Sequence, residues 1–330
     1  MKPLSRWLYS VWYENGSGGW LLWPLEALFR TVAAVRRGLY SVRLLRAGQV
    51  DVPVVVVGNI AVGGGGKTPL VGWIASALAA RGVKPAIVSR GYGGEEPQHP
   101  LSVTPETPAN IAGDEALMLA QATGVPVVVC RDRLAAARAA ADAGAQIIIS
   151  DDGLQHYALG RDLEIVVIDA DRQHGNAHCL PAGPLREPVG RLDSVDLIVT
   201  AGKVPYEPDG LSYRLSLETA INAQNSTTVA LDRFSGQSVH ALAGIAHPQR
   251  FFTALEEKGI RVIPVAAADH ERVSASGLNP DDTLPLLMTE KDAVKYTELG
   301  ERHWIVPASV VMSDKDREKL LGNILSLIDS

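Results

Sequence analysis

Eight residues constrain this chain more than any others: Ala61-Val62-Gly63-Gly64-Gly65-Gly66-Lys67-Thr68. The apolar run Val52-Pro53-Val54-Val55-Val56-Val57 leads into them, and Pro69-Leu70-Val71-Gly72-Trp73-Ile74-Ala75 leads out. Strand, glycine-rich turn and helix, in that order, form the context of a phosphate-binding P-loop. Glycines let backbone N–H groups turn inward around phosphate oxygens, and the helix start adds the positive end of a dipole. In such a loop Lys67 reaches the β- and γ-phosphates and the Thr68 hydroxyl ligates Mg2+. Pro69 suits a first helical turn, where its missing N–H would be unpaired anyway. The first position of the usual G-x-x-x-x-G-K-[ST] pattern is filled by Ala61, which is small enough for the turn. The bland alternative is a glycine-rich βα turn with a chance Gly-Lys-Thr. The flanking pattern favours an NTP site over residues 61–68.

At 330 residues the chain is long enough for two domains, each with its own core. A net charge of -6 argues against a general nucleic-acid binder, so no nucleic-acid partner is expected. Cys130 and Cys179 have no C-x-x-C spacing, which favours a reduced, cytosolic setting over a disulfide framework and argues against structural zinc.

The N-terminus departs from this pattern. Trp7, Trp12, Trp20 and Trp23 fall within the first 23 residues, followed by a helical stripe of Leu21, Leu25, Leu28, Val32, Val35, Leu39 and Val42. Arg30, Arg36, Arg37, Arg43 and Arg46 surround that stripe, with Glu26 the only acid. The uncharged run from Asn15 to Leu25 is too short to span a bilayer, and no small-residue cleavage site follows it. A basic amphipathic helix lying on an anionic membrane surface fits the pattern. The alternative is a helix docked on the protein's own core.

Short β-branched runs without alternation mark strands buried on both faces, hence a parallel sheet covered by helices. Such runs occur at residues 84–89, 125–130, 146–150, 164–168 and 196–200, with helices expected over 68–81, 113–123 and 132–143. Leu211–Leu217 alternates like a half-exposed strand, and Thr227–Leu231 is its expected partner. A second βα series runs from Val239 to Ile328. The expected organisation is an N-terminal amphipathic membrane-associating segment (1–50), a P-loop α/β domain (51–205), a β-ribbon linker (206–237) and a smaller C-terminal α/β domain (238–330) that closes a cleft.

Ile147-Ile148-Ile149-Ser150-Asp151-Asp152 is an apolar strand ending in two acids, the Walker B arrangement. One carboxylate holds Mg2+ and the other orients water or substrate. Gly153-Leu154-Gln155-His156-Tyr157 then brings polar side chains to the same strand end. Asp114 and Glu115 precede a helix, where they serve either as cap and dipole partner or as a proton acceptor beside a substrate hydroxyl. Arg90 with Tyr92, Arg131 with Arg133, and Arg186 each follow a strand. Together they suggest an anion-binding rim for ATP phosphates or a phosphorylated substrate. Asp269-His270 is the chain's only Asp-His pair. It is either a solvated or structural histidine, or a partner that strengthens an aspartate as base across a hinge.

These stretches resemble the tetraacyldisaccharide 4'-kinase (lipid A 4'-kinase) family over essentially the whole chain. The resemblance rests on Val56–Ile60 leading into the P-loop, Ser89–Gly94, Gly113–Glu115, Arg131–Arg133, Ser150–His156 and Leu180–Glu187. Ala243–Ile245, Asp269-His270 and Met288–Val294 extend it into the second half. The resemblance implies an ATP- and Mg2+-dependent kinase peripheral to the cytoplasmic face of the inner membrane, two α/β/α domains and a β-ribbon hinge. It implies a lipid acceptor, tetraacyldisaccharide 1-phosphate, phosphorylated on its 4'-hydroxyl to give lipid IVA. By the same resemblance Asp114 is the base aided by His270, Lys67 and Asp152 are catalytic, and Thr68, Asp151 and Asp152 surround the metal. Arg90, Tyr92, Glu115, Arg133, Gln155, His156 and Arg186 are expected to bind substrate, and the protein is expected to be a monomer. The chain departs from the family pattern at Gly65, at His247, and in having a single His270 followed by Glu271-Arg272. Two other classes fit parts of the sequence. A GTPase switch is disfavoured because Thr289-Glu290-Lys291-Asp292 does not space as [NT]-K-x-D. A membrane-surface protein with an assembly-driving ATP site would show no turnover with a lipid acceptor.

Overall fold

In the computed structural model, which describes residues 3–267, 269, 271–278 and 283–328, the two βα series form two sheets. Helices α1 (Pro3–Tyr13) and α2 (Trp23–Ser41) precede strand β1 (Val54–Gly58). Then follow α3 (Lys67–Ala79), β2 (Pro85–Ser89), β3 (Leu101–Val103), α4 (Ala109–Ala112) and α5 (Asp114–Thr123). Next come β4 (Val127–Val129), α6 (Arg133–Asp142), β5 (Ile147–Asp151), β6 (Leu163–Asp169), β7 (Leu197–Ala201) and β8 (Leu211–Ser216). The chain continues through β9 (Thr219–Asn222), β10 (Thr228–Ala230), β11 (Ser238–Leu242), α7 (Pro248–Glu257), β12 (Arg261–Val265) and α8 (Ala275–Leu278). It ends with β13 (Leu286–Thr289), α9 (Glu290–Ala293), β14 (His303–Val306), β15 (Ser309–Met312) and α10 (Asp314–Leu325).

The first sheet has nine strands in the order β15-β8-β7-β6-β1-β5-β2-β4-β3, parallel except for its two edges, β3 and β15. Alternate residues of a strand point to opposite faces. Val55, Val57, Ile87 and Ile149 join one apolar core with Leu70 and Ile74 of α3. Val54, Val56, Val88 and Ile148 join the other with Ala136 and Ala140 of α6. Because both faces are covered, these runs are continuously apolar rather than alternating. The register pairs Val57 with Asp151, so the P-loop and the two acids leave the sheet side by side at its carboxyl edge. Sites of open α/β sheets lie at that edge.

The second sheet has six strands in the order β10-β9-β14-β13-β11-β12 and packs on α7 through Phe251, Phe252 and Leu255. The expected ribbon is present with a different partner. Thr228–Ala230 pairs with Thr219–Asn222 rather than with Leu211–Ser216. Leu211–Ser216 instead joins the first sheet between β7 and β15. The apolar stretch from Trp304 to Val311 is divided between two strands. β14 pairs antiparallel with β9 in the second sheet, and β15 pairs antiparallel with β8 in the first. Residues 211–222 and 303–312 therefore form one antiparallel ribbon through both sheets, interrupted at Pro307, which has no N–H to give a ladder. The expected boundary, with everything after 238 in a second domain, is corrected accordingly. β8, β15 and α10 complete the first unit, and Leu320, Leu321 and Ile324 lie in the core that holds Leu70.

At the N-terminus α1 is an element the sequence reading lacked. It is tied down by the Trp12 indole, which donates to the Pro181 carbonyl at 3.0 Å. Helix α2 rests on the body through Phe29 and through buried Glu26, which accepts from the Cys179 N–H at 2.9 Å and lies 2.7 Å from His178 Nδ1. Its stripe of Leu25, Leu28, Val32 and Val35, together with Leu21 just before it, faces away from the core, each residue more than half exposed. Among the described residues, no helix is long and apolar enough to cross a membrane.

Candidate active site

The glycine-rich loop ends at Gly66, whose φ of +79° is the left-handed geometry that starts α3. A side chain there would also collide with the Tyr213 hydroxyl, 2.6 Å from where a Cβ would sit. That hydroxyl donates to the Gly66 carbonyl at 2.6 Å. Lys67 follows as the first residue of α3, buried, with Nζ 3.2 Å from Asp152 Oδ1. Thr68 donates its hydroxyl to Asp151 Oδ2 at 3.2 Å. Arg186 places Nη1 at 2.9 and 3.1 Å from the two Asp152 oxygens. The loop carrying Arg186 folds back over β1: Val62 N–H donates to the Pro184 carbonyl at 2.8 Å and Arg186 N–H to the Ile60 carbonyl at 2.6 Å. The structure thus brings together Lys67, Thr68, Asp151, Asp152 and Arg186.

The two acids differ in environment. Burial first, then the neighbouring charges of Glu115 and Asp152, push Asp151 up to about 7. Its Oδ1 is buried with no hydrogen-bond partner among the described residues. Burial also acts on Asp152, yet Lys67 and Arg186 outweigh it and hold that carboxyl well below the usual range. Asp152 adopts φ 49°, which aspartate tolerates better than most residues and which turns its side chain toward the two cations. Two close acids with opposite shifts and a hydroxyl beside them suit a hard cation that keeps phosphate oxygens as further ligands.

Other expected residues are placed around this cluster. Gln155 donates to the Asn59 carbonyl at 3.0 Å and to Glu187 Oε2 at 3.1 Å, while its Oε1 accepts from Arg186 at 3.3 Å. It braces Arg186. Arg133 is not on an open rim. It is buried, and its Nη2 donates to the carbonyls of Asp151 and Asp152 at 3.2 and 3.3 Å, so it holds the turn between them. Half-buried His156 is pushed down to about 4 by burial and then by the Arg133 charge. Its Nε2 has no partner among the described residues. Arg90 pairs with Glu96 at 3.1 Å, and Tyr92 is exposed.

Asp114 does not cap α5: Gly113 does, and Asp114 is the first helical residue, its Oδ1 accepting from the Glu115 N–H at 2.9 Å. Gly113 must be glycine, since a Cβ there would lie 2.5 Å from the Tyr92 carbonyl. That contact presses the Arg90–Gly94 loop against the start of α5. His270, expected beside Asp114, lies outside the described residues.

Sequence reasoning missed the second unit's cations. Lys291 Nζ donates to Glu115 at 3.0 Å and to Asp269 at 2.9 Å. Burial works against the Lys291 ammonium, yet Glu115, Asp114 and Asp269 outweigh it and hold it above the usual lysine range. Lys295 Nζ is 3.9 Å from Asp114 Oδ2. The available signal was two lysines four apart just after an apolar strand. Glu187, Tyr213 and Arg250 were also overlooked. Arg250 at the start of α7 grips Asp169, at the end of β6, with two contacts of 2.7 Å and reaches Asp171 with a third of 2.7 Å. A cavity of about 590 Å3 opens beside this clamp, between α1, the turn at Asp171–Asn176 and the start of α7.

Comparison with known proteins bears on the family. The family model described as Tetraacyldisaccharide-1-P 4'-kinase matches residues 19–326. A protein of Pseudomonas paraeruginosa named Tetraacyldisaccharide 4'-kinase is 47% identical over 328 residues, 96% of this chain and 99% of that one. A Nitrosococcus oceani protein of the same name is 43% identical over 314 residues, 94% of this chain and 92% of that one. Among solved structures, LpxK from Aquifex aeolicus in complex with ATP superposes with a TM-score of 0.80 at 27% identity, covering 94% of this chain and 99% of that one.

Proposed function

The chain belongs to the tetraacyldisaccharide 4'-kinase family, and from that premise we propose how its residues carry the reaction. It is an ATP-dependent kinase that moves the γ-phosphate to the 4'-hydroxyl of tetraacyldisaccharide 1-phosphate, giving lipid IVA in lipid A biosynthesis. The observation that carries the assignment of roles is the convergence of Lys67, Arg186, Thr68, Asp151 and Asp152 at the mouth of the P-loop, with Asp114 and Glu115 beside them.

Backbone N–H groups of residues 61–66 cradle the phosphates, and Lys67 and Arg186 meet the charge that spreads over the γ-phosphate oxygens during transfer. Thr68, Asp151 and Asp152 would hold Mg2+, which would neutralise phosphate charge, and Asp151 Oδ1, without a partner among the described residues, fits that ligand set. Asp114 takes the proton of the 4'-hydroxyl as that oxygen bonds to the γ-phosphorus and the bond to ADP breaks. His270 supports it. Glu115, Arg90, Tyr92, Gln155 and His156 shape the acceptor side, where a neutral His156 offers Nε2 to a sugar hydroxyl, while Arg133 holds the Asp151–Asp152 turn from behind. The test is mass spectrometry of tetraacyldisaccharide 1-phosphate incubated with protein, ATP and Mg2+. A gain of one phosphate is expected; ATP consumption with an unchanged acceptor overturns the reading.

The acceptor's four acyl chains hold it in a bilayer, so the enzyme works at an interface as a peripheral, monomeric protein on the cytoplasmic face of the inner membrane. The exposed stripe of α2 and its flanking arginines support this reading. Replacing Arg30, Arg36, Arg37 and Arg43 by Gln weakens co-sedimentation with anionic vesicles at low salt and leaves ATP binding intact. Unchanged sedimentation of the folded variant removes the docking role.

A further inference from the structure

The second unit's contribution to the chemistry is concentrated in one short segment. Thr289 caps α9, and its hydroxyl donates to Asp292 Oδ2 at 2.7 Å. The Gly244 N–H, two residues beyond β11, donates to the same oxygen at 2.8 Å. Asp292, almost fully buried, then accepts from Lys295 Nζ at 2.7 Å through its other oxygen. Lys295 is also buried and reaches the Glu271 carbonyl at 3.3 Å. An ammonium taken this far from water is retained only where several groups hold it. Here one anion and one carbonyl of its own unit do so, and its charge lies 3.9 Å from Asp114 Oδ2 of the other unit.

Asp114 is itself buried, at the positive end of α5. Its first oxygen is occupied by the Glu115 N–H, and its second lies 3.9 Å from the Lys295 ammonium, in ion-pair range. Four residues before Lys295, Lys291 ties Glu115 to Asp269 across the same gap. Two lysines of one segment thus meet two consecutive acids of the P-loop unit.

We propose that Lys295, held by Asp292, is a positioning residue for phosphoryl transfer that aims the Asp114 carboxylate at the acceptor hydroxyl, with Lys291 as the outer tie between the units. This rests on reading Asp114 as the base. Lys295 does not touch the reacting atoms; it acts through Asp114. A fixed carboxylate matters here because a general base must sit within hydrogen-bond reach of the proton it takes, and small misplacements at a reacting centre cost large factors in rate. The P-loop unit alone binds phosphate, and the second unit completes the base.

The test is a double-mutant cycle on the full chain. Lys295→Met keeps the length and the buried stem, and kcat should fall about 10- to 100-fold while KM for ATP stays within about twofold. In an Asp114→Asn background the same change should cost nothing further, because the group it positions is gone. An equal loss in both backgrounds assigns Lys295 to general stability and overturns the proposal. Near-normal turnover of Asp114→Asn overturns instead the base reading on which it rests. Should Lys295→Met unfold, the paired Asp292→Asn/Lys295→Met variant removes both buried charges together, and the cycle is run with that pair. A loss confined to the Asp114 background again supports the proposal, and a loss in both again overturns it.

Discussion

The Lys67–Asp152 cluster and the Asp114–Lys295 cluster occupy the same edge of the first sheet, yet they are assembled by different means. The first is fixed by register. β1 and β5 are neighbours, Val57 faces Asp151, and the residues that follow each strand emerge together. The second is fixed by the packing of α9 on α5 across two units joined by one antiparallel ribbon. A cluster built within a sheet persists as long as the sheet does. A cluster built across units depends on how the units sit, so its geometry can be gained or lost with closure. Under the proposed roles, phosphate grip and proton acceptance fall to clusters assembled by these two different means.

The hardest way to break the comparison is at the register-built side. Lys67→Ala removes the buried ammonium that pairs with Asp152 at the end of the phosphate loop, and kcat should fall about 10³-fold, the scale for deleting a preorganised charge contact. Steady-state turnover with saturating ATP checks it. Near-normal turnover would mean that the P-loop cluster is not where the charge develops.

The same contrast explains which features were legible in the sequence. Five valine- and isoleucine-rich runs gave the parallel core because burial on both faces leaves nothing but apolar residues. The glycine run and the Asp151-Asp152 terminus were readable because phosphate and metal chemistry need those residue types at those places. Lys291 and Lys295 were not. A lysine four residues from another, at the start of and just beyond a short helix, looks like any solvated face, and only the packing of that segment on α5 brings Lys295 to Asp114. Arg133 failed in the opposite sense. Its position after a strand suggested a rim, but its guanidinium turns inward to two carbonyls, a choice set by the turn at Asp152. The break at Pro307 was visible as a residue, but its consequence, one apolar run serving two sheets, was not.

A milder change sharpens the comparison by loosening closure alone. Arg250→Ala removes three contacts of 2.7 Å to Asp169 and Asp171 and leaves both clusters untouched. It should cost about tenfold in kcat/KM, the scale of one or two charge-assisted hydrogen bonds at a partly exposed site. Burial would raise Asp169, but Arg250 and the backbone N–H groups of Arg172 and Asp171 outweigh it and hold its carboxyl below the usual range. A depressed carboxyl stabilises above its unfolded value of roughly 4 and loses that contribution as pH falls through the folded value. The clamp is therefore fully formed at neutral pH, and added salt, not a move from pH 8 to 6, should mimic Arg250→Ala. A kcat/KM measured against ionic strength decides it, and a wild-type value for Arg250→Ala would deny closure a role.

The smallest effect probes a contact between the antiparallel ribbon and the phosphate loop. Tyr213 belongs to β8, half of the ribbon that runs on into the second sheet, and its hydroxyl donates to the Gly66 carbonyl that ends the phosphate loop. The ring is buried in the first core, so Tyr213→Phe keeps the packing and deletes one hydrogen bond. A single neutral hydrogen bond contributes about 1 kcal/mol, roughly a fivefold change in an equilibrium. If the ribbon helps hold the loop in its phosphate-binding shape, KM for ATP should rise by about that factor while kcat at saturation changes little. If the P-loop is held by its sheet alone, KM is unchanged and the ribbon serves only the second unit. A rise in KM combined with a fall in kcat would mean that the ribbon reaches beyond the loop to Lys67, and the two clusters would then share one mechanical element.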